Sequence, residues 1–229
     1  MTQRCEMKII AHIESDFDTK FGVPRQSGLV KSAVARIVFE PEYRNPDALR
    51  GMDGFSHLWL IWQFSECVRE DWSPTVRPPR LGGNTRVGVF ATRSPFRPNA
   101  IGLSCVEIDR VENDASLGPV LYVRGADLMN GTPIFDIKPY LPYADCHPDA
   151  KDGFGLKPGE GTVAVECPPE LLGLLPLEKR QALMDVLSQD PRPGYRQGDE
   201  RRFGIAFAGF DVRFHVTDGV LTVDEIIKN

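Results

Sequence analysis

The sequence lacks the marks of several large classes. It has no run of 18 apolar residues, so no transmembrane helix is expected. Its first stretch, MTQRCEMKIIAHIESDFDTKFG, carries charge throughout and has no apolar centre of the kind a signal peptide needs. No G-x-G-x-x-G follows a strand-like run and no P-loop occurs, which removes the common glycine-rich cradles for dinucleotides and nucleoside triphosphates. There is no Cys-x-x-Cys and no His-x-x-x-His, and Cys146-His147 has no neighbour at ligand spacing, so no zinc centre is expected. The five cysteines (Cys5, Cys67, Cys105, Cys146 and Cys167) are odd in number and widely spaced. That pattern argues for reduced thiols in a cytoplasm rather than a disulfide framework. A net charge of −5 gives no overall pull toward nucleic acid, so such a partner would have to meet a local basic patch.

What remains is a globular chain of 229 residues, 41% hydrophobic and 26% charged. Its first two thirds read as short strands rich in Val, Ile, Leu and aromatics: GLVKSAVARIVFE, SHLWLIWQF, TRVGVFAT, LSCVEIDRVE, GPVLYVRGADL and TPIFDIKPYL. Helices do not alternate with them, so a mainly β barrel or sandwich is expected over residues 1–145. After Asp145 a Gly- and Pro-rich stretch, CHPDAKDGFGLKPGEG, reads as a linker. A helical period follows, with Leu177, Ala182, Leu183, Val186 and Leu187 on one face. Phe210, Val212, Phe214 and Val216 then alternate with polar residues up to Asp218-Gly219, a favoured hairpin pair. Residues 146–229 are therefore expected to hold the linker and a small α+β domain.

Three stretches invite chemistry. Between Ser73 and Cys105 stand five arginines, Arg77, Arg80, Arg86, Arg93 and Arg97, and no Asp, Glu or Lys. Arginine suits bidentate recognition of phosphate or carboxylate, and the prolines of TRSPFRPN stiffen the loop that carries it. The alternative is a solvated loop whose arginines pair with acids elsewhere. Asn130-Gly131-Thr132-Pro133 permits a tight turn that exposes backbone amides to a polar heterocycle. Asp136, Lys138 and Tyr140 follow on one face of an extended segment, which suits either proton transfer or a surface ion pair. In FGVPRQSGLV, Pro24 and Gly28 bracket Arg25, Gln26 and Ser27, either as amides for a ligand or as a plain turn. His57 reads as a structural hydrogen-bonding residue, Cys67 and Cys105 as packing residues, and Trp59 and Trp62 as core or subunit interface.

LGGNTRVGVFATRSPFRPNAIGLSCVEI, with VPRQSGLVKSA, DGFSHLWLIWQF and NGTPIFDIKPYLPYAD in order around it, resembles the TrmO (TsaA-like) family of tRNA methyltransferases. The match covers most of residues 7–145, and GIAFAGFDVRFHVTDGVL resembles the family's smaller C-terminal domain more loosely. The resemblance implies a cytoplasmic homodimer of single-sheeted β-barrels that binds S-adenosyl-L-methionine without a Rossmann fold. It implies methylation of N6 of adenosine 37 of tRNA, when that base carries a threonylcarbamoyl group. Carried over by position, the cofactor contacts are Gln26, Ser27, Gly28, Ser65, Glu66, Arg93, Leu103, Asn130, Gly131, Thr132 and Pro133. The family often has His-Gln at Ser65-Glu66 and Asp at Asn130. Asp136 is the candidate base, with Lys138 or Tyr140 tuning it. Arg97 is the candidate clamp for the threonyl carboxylate. Arg77, Arg80 and Arg86 are assigned to anticodon-stem phosphates, and Asn99 joins the substrate set. The competing readings are a non-catalytic RNA-binding barrel and a metabolite-sensing barrel dimer.

Overall fold

The computed structural model describes residues 6–78, 81, 84–151, 153–154, 161–192 and 201–229. Arg80 therefore lies outside the described residues, as does part of the expected linker.

Strict inward–outward alternation builds the first domain. β1 (Ala11–Glu14), β2 (Val34–Phe39) and β3 (His57–Gln63) each bury every second side chain. Leu58, Leu60 and Trp62 point inward, leaving His57, Trp59 and Ile61 on the outer wall. The chain then makes a short hairpin arm from β4 (Thr75–Val76) and β5 (Val87–Gly88). It returns through β6 (Ile101–Asp114), β7 (Gly118–Arg124) and β8 (Pro133–Pro139), then a single turn, α1 (Pro142–Asp145). The sheet runs β1-β2-β7-β6-β3-β8, and β8 pairs back onto β1 through Ala11↔Ile134 and His12↔Pro133, giving a closed barrel. A six-stranded barrel is filled by its own side chains, here Ile13, Ile37, Leu58, Leu60, Leu121 and Ile134 among others. Ligands are thereby confined to its rim and outer wall.

The run Arg86–Ala91 differs from its strand-like reading. β5 has two residues, paired Thr75↔Gly88 and Val76↔Val87, and the chain then turns as a 3-10 helix over Val89–Ala91. Its one described partner, β4, is too short to extend the ladder, and Thr92 N–H closes the turn on Val89 O at 3.1 Å.

The second domain comprises β9 (Ala164–Glu166), α2 (Pro169–Leu172), α3 (Leu177–Ser188), β10 (Phe203–Phe207), β11 (Phe210–Thr217) and β12 (Val220–Lys228). Its sheet runs β10-β11-β12-β9, with β9 parallel to β12. Asp218 at φ +50° and Gly219 at φ +78° form the expected tight turn, and Phe210, Val212, Phe214 and Val216 are all buried. Pro176 splits the expected helix into α2 and α3. Ala182, Leu183, Val186 and Leu187 pack inward, but Leu177 is 77% exposed. It opens α3 about two and a half turns before Val186, on the opposite side of the helix.

This second core reaches into the first domain. Phe17, Val30 and Ala33, from the segment joining β1 to β2, belong to the same buried cluster as Leu183, Ile205 and Phe214. Lys179 pairs with Asp16 at 2.6 Å, Ala208 N–H donates to Asp16 O at 2.8 Å, and Arg25 Nη2 donates to Asp190 O at 2.8 Å. Residues 15–33 are thus gripped from one side by the C-terminal domain. Leu183→Ala, which empties a fully buried site, is expected to lower stability by about 2–5 kcal/mol. Urea unfolding measures this, and a change below about 1 kcal/mol would contradict the packing described.

Candidate active site

The rim where β3 ends and β6 begins gathers many of the candidate residues. Ser65 and Glu66 lie exposed on a 3-10 turn directly after β3, and Phe64 N–H ties this turn to Ala100 O at 2.8 Å. The loop entering β6 is braced from within. Thr92 Oγ1 donates to Val89 O at 2.8 Å, Ser94 N–H to Thr92 Oγ1 at 3.2 Å, and Phe96 N–H to Ser94 Oγ at 3.3 Å. Arg93 projects from this loop, exposed, and its Nη1 donates to Gln26 Oε1. Arg97 turns back, donating from Nη1 to Thr92 O at 3.0 Å, so part of its fork holds the loop. Asn99 is exposed, and its carbonyl accepts from Ile101 N–H at 2.7 Å. Arg77 and Arg86 are exposed on the hairpin arm.

Gln26 and Ser27 are held in place by a pair of glycines. Gly28, at φ +80°, donates its N–H to Gly125 O at 2.8 Å, and a Cβ on Gly125 (φ +74°) would lie 3.1 Å from Gly28 Cα. Behind this contact runs a polar chain that sequence reasoning missed. Trp62 Nε1–H donates to Ser104 Oγ at 3.0 Å, and Ser104 Oγ–H donates to Asp127 Oδ1 at 2.5 Å. Burial pushes the Asp127 carboxyl up, while the Ser104 hydroxyl, the Arg93 charge and the Ser27 amide pull it back. The available signal was Ser104 itself, a hydroxyl at an inward strand position between Gly102 and Val106, which needs a buried partner.

A carboxyl raised on folding binds more protons in the native state, so it removes stability as pH rises from the ordinary carboxylate value to the raised one. Asp127→Asn is expected to abolish that part of the slope, which cannot exceed about 1.4 kcal/mol per pH unit for one proton. Thermal melts between pH 4 and 7 compare the two proteins; superimposable pH profiles would place Asp127 outside this role.

The Asn-Gly turn differs from its expected use. Its amides are already engaged: Asn130 N–H donates to Phe17 O and Gly131 N–H to Ile13 O, both at 2.8 Å, and Thr132 N–H to Met129 O at 3.2 Å. The Asn130 side chain accepts from Ser15 N–H and donates to Asp18 Oδ1. Thr132 and Pro133 are buried. The turn therefore offers a ligand the open space above Gly131 rather than a row of donors.

Asp136, Lys138 and Leu103 stand on the outer wall. Ile61 pairs with Leu103 on one side and Asp136 on the other, which puts these two roughly 10 Å apart across three strands. Lys138 Nζ lies 3.0 Å from Asp136 Oδ2, and Ile137 N–H donates to Asp136 Oδ1 at 2.9 Å. Tyr140 follows at the end of the same strand, its N–H donating to His57 O at 3.0 Å. It packs on Trp59 and His57 at ring-centroid distances of 5.8 and 6.2 Å, and burial pushes its phenol up. Trp59 Nε1–H and Leu141 N–H both donate to Asp145 Oδ2, and these bonds, the Leu141 amide first, hold its carboxyl below the usual range. Trp62 is core and Trp59 outer wall. Among the described residues no group of three or more His, Cys, Asp or Glu side chains is arranged to hold a metal ion.

Comparison with known proteins bears directly on this rim. Residues 12–146 match the model of the tRNA-methyltransferase O N-terminal domain, and residues 164–229 match that of the TrmO C-terminal domain. The chain belongs to the TrmO family. Among TrmO relatives, the tRNA (adenine(37)-N6)-methyltransferase of Escherichia coli K12 is 46% identical over 217 residues, covering 91% of this chain and 92% of the relative. A crystal structure of TrmO from Pseudomonas aeruginosa superposes with a TM-score of 0.80 at 30% identity, covering 99% of both chains. An S-adenosyl-L-methionine-binding protein of Archaeoglobus fulgidus is 38% identical over 140 residues, covering 61% of this chain and 92% of the relative. The first TrmO match contains every rim and outer-wall residue described above.

Proposed function

We propose that this TrmO-family chain is an S-adenosylmethionine-dependent tRNA methyltransferase that methylates N6 of adenosine 37 when that base carries a threonylcarbamoyl group. The 46% identity to the E. coli enzyme, over 91% of this chain, carries this reading. The rim suits the cofactor. The exposed Arg93 guanidinium matches a carboxylate, Leu103 (53% exposed) with Ile61 offers an apolar face, and a Cβ on Gly131 would meet nothing within 4 Å. When bound, S-adenosylmethionine supplies an electrophilic methyl group on a sulfonium.

The chain's own residues supply position and proton handling. Gln26 orients Arg93, while the Gly28–Gly125 contact and the Asp127 chain fix the loop beneath them. Holding two reactants in attack geometry is worth roughly 7–11 kcal/mol of barrier. The N6 nitrogen of the modified base is a weak nucleophile, because its lone pair is delocalised into ring and carbonyl, so its proton must leave as the bond forms. Asp136 accepts that proton in this reading, with Lys138 beside it. The remaining donors of Arg97 face the threonyl carboxylate, and Arg77 and Arg86 face phosphates. In this reading the chain works as a homodimer in the cytoplasm.

The test is label transfer from S-adenosylmethionine to bulk tRNA with and without the threonylcarbamoyl group. Transfer to the modified tRNA alone is expected. Binding of either partner without transfer would overturn the enzymatic reading.

A further inference from the structure

The segment between β3 and β6 exposes aromatic surface that the barrel does not use. Trp72 is 50%, Phe90 72% and Phe96 42% exposed. Exposed rings usually sit singly, but these are grouped. Trp72 and Phe90 lie with ring centroids 6.0 Å apart at 32°, flanking the arm formed by β4 and β5. Arg69 lays its guanidinium over Phe96 at 4.3 Å, and Trp72, Phe96, Arg69 and Arg97 line one small cavity with Asp71 on its wall. Arg77 and Arg86 stand on the same arm, and residues 73–105 contain no acid or lysine. The same loop continues from Phe90 through Arg93 to Phe96, so the aromatic group is continuous with the rim.

We propose that Trp72, Phe90 and Phe96 form a stacking platform for unpaired nucleotides of the tRNA loop that flanks the target adenosine. This rests on the function proposed above. A stem presents its phosphates but hides its base faces, whereas an unpaired loop presents both. Flat rings interleaved with guanidinium groups match such a strand, because every base has a π-face and every nucleotide a charge. The rings hold the loop and Arg77 and Arg86 hold its backbone, which delivers the next base to Arg93.

The test uses the full-length protein, an anticodon stem-loop RNA and a fully paired RNA of equal length. Trp72→Ala, Phe90→Ala and Phe96→Ala are each expected to weaken stem-loop binding about tenfold, the effect of losing one stacked base. Binding of the paired RNA and of S-adenosylmethionine should stay unchanged. Phe90→Leu keeps the apolar area without the π-face and should lose affinity as Phe90→Ala does. The slope of log affinity against log salt should be the wild-type one in the ring variants and smaller in Arg86→Ala, because rings release no counterions. Ring variants that methylate and bind the stem-loop like the wild type would overturn the platform while leaving the enzymatic reading intact. A wild type that transfers no label to tRNA would instead overturn the function beneath it. Full affinity in Phe90→Leu, or a change of oligomeric state in the ring variants, would mark the patch as an apolar or subunit contact and also overturn the platform.

Discussion

An Asp136→Asn enzyme is expected to bind S-adenosylmethionine and tRNA normally yet transfer the methyl group about 100- to 10,000-fold more slowly. The substitution keeps the shape of the side chain and the acceptor for Ile137 N–H, and removes only the negative charge and the ability to take a proton. Asp136 stands two strands from Leu103 on the outer wall, with Ile61 between them, so its carboxylate and the apolar face share one surface. Oδ2 already faces the Lys138 ammonium. An ionised carboxylate has about four lone-pair sites, so a proton can arrive beside the lysine without displacing it. Lys138→Met should therefore alter the rate much less than Asp136→Asn. Single-turnover label transfer at saturating cofactor reads the chemical step directly, and a rate within threefold of wild type would remove Asp136 from the mechanism.

Adding one methyl group at Gly102 should be the most damaging small substitution in the barrel. An ideal Cβ at that position falls 2.2 Å from one ring atom of Trp62 and within 2.6 Å of two others. Overpacking a tight core commonly costs about 1–3 kcal/mol, and this overlap exceeds what ordinary side-chain shifts absorb. Trp62 is 6% exposed, packs against Phe64 at a centroid distance of 4.2 Å, and is tied through Nε1 to Ser104. It has no free direction to retreat. We expect Gly102→Ala to lose about 3 kcal/mol, which for a chain of this size lowers the melting temperature by roughly 6–12 °C. Adding Trp62→Phe to Gly102→Ala should recover part of the loss by shrinking the obstructing ring. A Gly102→Ala protein that melts like wild type would show that the ring and the strand are not locked together. Because the same tryptophan leads through Ser104 to Asp127, this variant should also disturb the loop bearing Gln26 and Ser27.

Much of the architecture is written in local pattern. The strands at 34–39, 57–63, 118–124 and 133–139 follow from runs of branched and aromatic residues, and the turn at Asp218-Gly219 follows from a dipeptide that tolerates positive φ. The arginine-rich loop was equally legible, whereas its bracing through the Thr92 and Ser94 hydroxyls was not read from the sequence. What local pattern could not supply is pairing over distance. Whether the amides of Asn130 and Gly131 are free depends on Phe17 and Ile13, more than a hundred residues earlier. The Trp62–Ser104–Asp127 chain joins three segments that share no sequence signal. Arg86–Ala91 has strand composition but meets a partner only two residues long, and Leu177 has the right residue type on the wrong side of its helix. Tyr140 keeps spacing with Asp136 along the chain, but its packing on Trp59 and His57 comes from another strand and has no local signal.

Residues 15–33 answer to two masters. Phe17, Val30 and Ala33 dissolve into the apolar interior of the second domain, while Gln26, Ser27 and Gly28, on the same stretch, shape the rim of the first. Cutting the chain after the barrel would strip those three side chains of their cover and loosen the ribbon that carries Gln26 toward Arg93. In the present chain the distal domain works as a splint, covering Phe17, Val30 and Ala33 at the two ends of the ribbon that carries Gln26.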